Sequence, residues 1–145
     1  MRGVIFQLCL IVYALEVEVD AQGLWFNRRR TSIAGGSGIA VVLEALRAHA
    51  QDPVVQRKGL GALGNLAAVA DNQRSIAGAG GIAVVLEALR THQNDVEVQR
   101  QGLGALRNLA VDDDNKRSIA GAGGIAVVLE ALRTHAQDLE VQRNG

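Results

Sequence analysis

The nineteen residues RSIAGAGGIAVVLEALRTH, from Arg74 to His92, recur without change from Arg117 to His135. A step of 43 positions relates the two stretches. The same step carries Ser32 to Ser75 and Ser118, His49 to His92 and His135, and Gln56 to Gln99 and Gln142. Identity over such a length exceeds what shared packing demands, and it points to duplication of a segment. A unit of about 40 residues buries its own apolar face poorly, so neighbouring copies must stack. The period therefore predicts a solenoid of stacked units.

Within a unit the apolar spacing is helical. Ile82, Val85, Leu86 and Leu89 follow i, i+3, i+4, i+7, and Leu103, Leu106 and Leu109 with Ala110 nearly repeat it. This predicts a middle helix over roughly 82–92 and a long helix over roughly 96–111, entered through Asn94 or Asp95 as a side-chain cap. In the first copy Asp52-Pro53 suits a cap followed by proline at the first helical position. A short helix over Asn72-Gln-Arg-Ser-Ile-Ala, capped by Asp71 or Asn72, precedes the middle one and runs into Gly78-Ala-Gly80-Gly81. Glycine at a helix end permits the left-handed backbone that turns the chain.

Composition narrows the function classes. Fifteen Lys and Arg balance fifteen Asp and Glu, so no basic field waits for nucleic acid phosphates. Aromatics are 3% of the chain, which leaves an aliphatic core and no stacking platform for bases. One cysteine, Cys9, forms neither an intrachain disulfide nor a multi-thiolate metal site.

These features together resemble the armadillo repeat, a three-helix unit of about 42 residues. The resemblance covers Asn27 to Gly145. Its most specific marks are the short-helix and turn pattern, Asn72, Ile76, Ala79, Gly80 and Gly81, repeated as Asn115, Ile119, Ala122, Gly123 and Gly124. The long-helix pattern follows as Ala62-Leu-Gly-Asn65-Leu-Ala67 and Ala105-Leu-Arg-Asn108-Leu-Ala110. The turn glycines argue against HEAT repeats, the nearest rival. The resemblance implies an all-α, right-handed solenoid. It also implies a non-catalytic scaffold that holds a protein or an extended peptide on a concave face, in the cytoplasm or the nucleus. A structural spacer, part of a larger ligase or kinase carrying such repeats, is the alternative.

The expected organisation is an apolar N-terminal segment over 1–26, repeats over 27–69 and 70–112, and a third repeat over 113–145 truncated in its last helix. Arg2, the run from Val4 to Leu15 and Val19-Asp20-Ala21 have the outline of a secretory signal. A degenerate repeat helix that stays attached is the preferred reading. That run of twelve residues, apolar except for Gln7, is too short for a membrane span, which needs about twenty.

Several motifs that imitate active chemistry fail on context. Gly59-Leu-Gly61-Ala-Leu-Gly64 satisfies the dinucleotide fingerprint, but no strand precedes it and it falls inside a helix. Its glycines fit close helix approach instead. His49, His92 and His135 would lie about 10 Å apart in stacked units, too far to share a metal ion, and are expected to donate to carbonyls at the end of the middle helix. Asp112-Asp113-Asp114 lacks the alternation of a calcium loop and fits capping of the next short helix. Ser32, Ser75 and Ser118 have no periodic base beside them. No cofactor, metal or small-molecule substrate is expected.

Helix geometry supplies the candidate surface. At about 100° per residue, positions 54, 58, 61 and 65 share a stripe opposite Leu60 and Leu63. The stripe reads Val54, Lys58, Gly61, Asn65, then Glu97, Gln101, Gly104, Asn108, then Glu140 and Asn144. Lys58, Asn65, Glu97, Gln101, Asn108, Glu140 and Asn144 are therefore the candidate binding residues, expected to face water in the free chain. Glu97 and Glu140 are expected to favour ligands bearing Lys or Arg. The resemblance implies that Asn65 and Asn108 bond a ligand backbone. Relatives that bind basic nuclear-targeting signals carry Trp four residues before that Asn, where this chain has Gly61 and Gly104.

Overall fold

A computed structural model describes residues 38–145. The expectations for the N-terminal segment fall outside these described residues. Eight helices follow one another: α1 (Gly38–Ala48), α2 (Pro53–Ala67), α3 (Ala70–Gly78), α4 (Gly81–Thr91), α5 (Val96–Leu109), α6 (Asp113–Gly121), α7 (Gly124–Thr134) and α8 (Leu139–Asn144). No strand occurs among the described residues. Each helix type stacks on its counterpart one repeat away. Middle helices α1, α4 and α7 form one ladder, long helices α2, α5 and α8 a second, and short helices α3 and α6 a third, with the α2–α5 contact the most extensive. The architecture is the expected α-solenoid.

Local chemistry sets the boundaries. Asp52, Asp95 and Asp138 each accept from two backbone N–H groups that open the following long helix, and Pro53 occupies the first turn of α2. Gly80 and Gly123 turn the chain between short and middle helices at φ of 80° and 78°, where a side chain would be strained. The short helices differ from expectation at one end. Val69, which has no capping side chain, precedes α3, and Asp71 lies within its first turn. Asn72 instead turns back, its Nδ2 donating to the Leu66 carbonyl at 3.0 Å. One repeat later Asp112 stands where Val69 did and caps α6 as expected, through Asp114 N and Asn115 N.

The apolar stripes meet in one core. Ile82, Val85, Leu86 and Leu89 of α4 are buried, as are Leu103, Leu106 and Leu109 of α5. At about 25 cal/mol per Å², such burial is the main force holding each unit to the next. In α7 the same residue types behave differently. Ile125 is 62% exposed and Leu129 47%, whereas Ile82 and Leu86 are 6% and 0% exposed. In the first two repeats a full long helix covers these positions; α8 spans six residues.

Polar side chains lock the seams. Gln56, Gln99 and Gln142 each donate Nε2 to two carbonyls that end the preceding middle helix: Leu46 and His49, Leu89 and His92, Leu132 and His135. The histidine rings reach across repeats. His92 Nε2 lies 2.7 Å from the Ala50 carbonyl and His135 Nε2 2.7 Å from that of Gln93, so each Nε2 carries the proton. A histidine donor does meet a carbonyl, but that carbonyl belongs to the loop of the preceding unit rather than to the histidine's own helix.

Arginines pair with the aspartate caps of the next unit. Arg57 lies 3.4 Å from Asp95, and Arg100 lies 2.6 Å from Asp138. The Arg100 guanidinium, with the Val141 and Glu140 N–H groups, holds the Asp138 carboxyl down to about 2. Its folded value thus sits below its ordinary one. The stabilisation is complete above the unfolded carboxylate range and is lost as pH falls from about 4 through about 2. Melting curves across that window should fall steeply for the native chain and less steeply for Asp138→Asn, which keeps a capping oxygen but does not titrate.

Candidate functional site

The candidate residues sit on the long-helix ladder. Asn65 is exposed near the end of α2, Gln101 and Asn108 are half-buried one and three turns along α5, and Asn144 is half-buried at the end of α8. These four meet along a shallow groove of about 190 Å³, with Gly61, Gly64, Gly104, Ala105 and Arg107 completing the lining. The glycines are its floor. A Cβ placed on Gly104 would meet nothing nearer than Asn144 Nδ2 at 3.8 Å, an ordinary contact, so the notch admits a methyl without a clash. Gly64 belongs to packing as well: its Cβ position lies 3.6 Å from the Ala105 backbone, in ordinary contact with the next long helix.

Gly59 of the fingerprint and its counterpart Gly102 are also packing residues. A Cβ on Gly59 or Gly102 would come 2.5 or 2.6 Å from a Leu46 or Leu89 methyl, so each glycine receives a core leucine of the middle helix. The motif lies wholly inside α2.

Lys58, Glu97 and Glu140 do not line the groove. Lys58 is exposed on α2. Glu97 accepts from Arg100 at 3.1 Å and from Gln101 at 3.0 Å, and Glu140 accepts from Arg143. Both carboxylates therefore have a cation of their own chain three residues away. This departs from the expectation that they stand ready for a ligand's Lys or Arg. The cause is the recurring Glu-x-x-Arg spacing, which puts the two on one helix face.

Asn108 is also more committed than expected. Its Nδ2 donates to the Gly64 carbonyl at 2.9 Å, across the repeat seam, and the residue is half-buried rather than facing water. The carbonyl is reachable because Gly64 has no side chain to cover it. One amide N–H thus ties the long helices together, while Oδ1 and the second N–H remain for another partner. Asn65 occupies the same register one repeat earlier and is exposed.

Sequence reasoning missed two residues of functional interest. Arg107 lines the groove beside Asn108, and its Nη1 donates to Asn144 Oδ1 at 3.4 Å. Its signal was available, because it replaces the glycine found at position 64 of the previous copy. Gln99 was legible only as a member of a series, since polar residues in a helix read as surface.

Two larger clefts lie between successive middle helices, of about 470 and 410 Å³. Their walls repeat with the chain: Leu46, Val84 and Ala88 in one, Leu89, Val127 and Ala131 in the other. Arg47 and Arg90, at their rims, donate to the Ala79 and Ala122 carbonyls. These clefts are helix seams with their arginines already committed. The convergence of side-chain amides is found in the long-helix groove.

Among the described residues, no helix is long and apolar enough to cross a membrane. No group of His, Cys, Asp or Glu there is arranged to hold a metal ion. A family model described as armadillo-like matches residues 37–144. Searches of curated proteins and of solved structures return no match.

Proposed function

The chain belongs to the armadillo-like family, and from that membership we propose that it is a non-catalytic scaffold whose long-helix groove binds an extended polypeptide. The observation that carries the reading is the meeting of Asn65, Gln101, Asn108 and Asn144 over a floor of glycines. An extended backbone presents alternating N–H and C=O groups, and an amide side chain both donates and accepts. The absent Cβ at Gly104 leaves room for that backbone to approach. Long helices about 10 Å apart correspond to about three ligand residues at 3.3 Å each, so successive units would grip the ligand with a short period. Such a role calls for protein partners and no cofactor.

The test begins with panning of a random twelve-residue peptide library against the full chain. A selected peptide is then titrated against Gly104→Leu, Asn65→Ala and the native protein. The leucine Cβ would make only an ordinary contact, with Asn144 Nδ2 at 3.8 Å, the rest of the side chain fills the groove, and leucine favours a helix over glycine by nearly 1 kcal/mol. Gly104→Leu should therefore keep or raise the melting temperature while weakening the peptide at least about tenfold, a loss of about 1.4 kcal/mol. Asn65→Ala should weaken it several-fold, in line with about 1 kcal/mol for one hydrogen bond. Unchanged affinity in a normally melting Gly104→Leu protein would move the partner to another face.

A further inference from the structure

We infer that Arg107 makes the groove a receptor for extended polypeptides that carry a carboxylate side chain, an inference that rests on the groove being a peptide site. The first observation is a comparison within the chain. Gly59–Ala67 and Gly102–Ala110 are nine-residue copies of one helix segment, and they differ only at Gly64 and Arg107. That single difference falls in the groove lining. Within this segment every core position and the groove positions Gly61/Gly104 and Asn65/Asn108 are kept, and one groove position gains a charge.

The second observation is electrostatic. Arg107 is the only charged residue of the lining, and it is exposed. The carboxylates of the same ladder are engaged elsewhere, Glu97 with Arg100 and Glu140 with Arg143. Arg57, Arg74, Arg90, Arg100, Arg117, Arg133 and Arg143 all have a carboxylate within salt-bridge distance, and Arg47 donates to a backbone carbonyl. Arg107 has instead one long bond, 3.4 Å, to the neutral Asn144. The groove therefore presents a cation with a weak resident partner.

The third observation is geometric. The guanidinium is a planar fork that takes a carboxylate through two parallel bonds of about 2.7–2.9 Å, shorter and stronger than the one it makes to Asn144. Beside it, the Oδ1 and second N–H of Asn108 can hold the ligand backbone, so one acidic residue would be read next to one gripped peptide unit. The copy with Gly64 offers the Asn65 amide for a backbone grip, and its cation, Lys58, stands outside the groove lining. The two adjacent sites thus differ in what they accept, and the ligand would be read in one direction.

Three fluorescein-labelled octapeptides test this with the full chain: alternating Ser-Glu, Ser-Gln and Ser-Lys, followed by fluorescence anisotropy. The Ser-Glu peptide should bind about five- to tenfold more tightly than Ser-Gln at low salt, with the preference shrinking towards unity at about 0.5 M salt. Arg107→Gln should abolish the preference while leaving Ser-Gln binding unchanged. Arg107→Glu should transfer the preference to Ser-Lys. Arg133→Gln, exposed on α7 and outside the groove lining, should change nothing. Melting curves confirm that each variant is folded, as expected for exposed positions. Equal binding of Ser-Glu and Ser-Gln, or a Ser-Glu preference that survives Arg107→Gln, overturns the inference and leaves the peptide groove standing. If none of the three peptides binds, and no library peptide does either, the groove reading falls and the inference with it.

Discussion

Gln99→Met is expected to lower the unfolding free energy by about 3 kcal/mol and the melting temperature by roughly 10 °C. Methionine conserves the length of the side chain but removes both donors. The carbonyls of Leu89 and His92, reached by Gln99 Nε2 at 2.9 and 3.0 Å, then lose that partner inside a seam where Gln99 is 1% exposed. An unsatisfied buried polar group costs about 1–3 kcal/mol, and the Leu89 carbonyl bears most of it because His92 O keeps the Asp95 N–H. Gln142 is the internal control. It makes the same pair of bonds, to Leu132 and His135, but is exposed, so water can replace the amide. Gln142→Met should therefore change stability by less than about 0.5 kcal/mol. Chemical denaturation of the two variants side by side decides the matter, and equal effects would show that the bonds are not what holds the loop.

Gly81→Ala should cost about 2 kcal/mol, although alanine is the better helix former by nearly 1 kcal/mol. The new methyl would sit 2.8 Å from the Ile76 carbonyl oxygen and still closer to the Ile76 Cγ2 methyl. Ile76 is fully buried and its carbonyl belongs to α3, so neither can yield without moving the short helix. The reading is specific to crowding. Gly78→Ala, with nothing within 4 Å of its Cβ position, should not destabilise the chain. Thermal melting of both variants separates the two cases.

Much of the fold was legible because its signals are local and repeat. The step of 43 residues gave the number and order of helices, the 3.6-residue spacing gave their buried faces, and Asp52, Asp95 and Asp112 gave three of the starts. The cap of α3 was misplaced because Asp71 and Asn72 are good capping residues in isolation, while the packed structure uses the Asn72 amide on the Leu66 carbonyl. Of the site, the stripe carrying Asn65, Gln101, Asn108 and Asn144 followed from helical geometry alone. What helical geometry could not supply was the state of each group. Asn108 bonds a carbonyl 44 residues away, and only the spacing between stacked helices brings Gly64 into its reach. Glu97 and Glu140 stand on the same stripe in sequence, yet each carboxylate is paired with the arginine three residues on, Arg100 or Arg143.

The identity of Arg74–His92 and Arg117–His135 also bears on how the chain finds its fold. Both stretches carry the same side chains as those with which the first docks on α1 and α2. Recognition between side chains therefore cannot tell the proper partner from the one 43 positions later. The only early discrimination is chain closure, which favours the nearer copy by about 0.6 kcal/mol for each doubling of the loop. A slipped encounter is corrected later, when the stranded middle unit leaves its apolar stripe in water. Refolding from denaturant should accordingly pass through a population of register isomers that must dissociate before they progress. Substituting one solvent-facing residue in only one copy would leave that population intact, whereas making the two buried stripes different in shape would remove it.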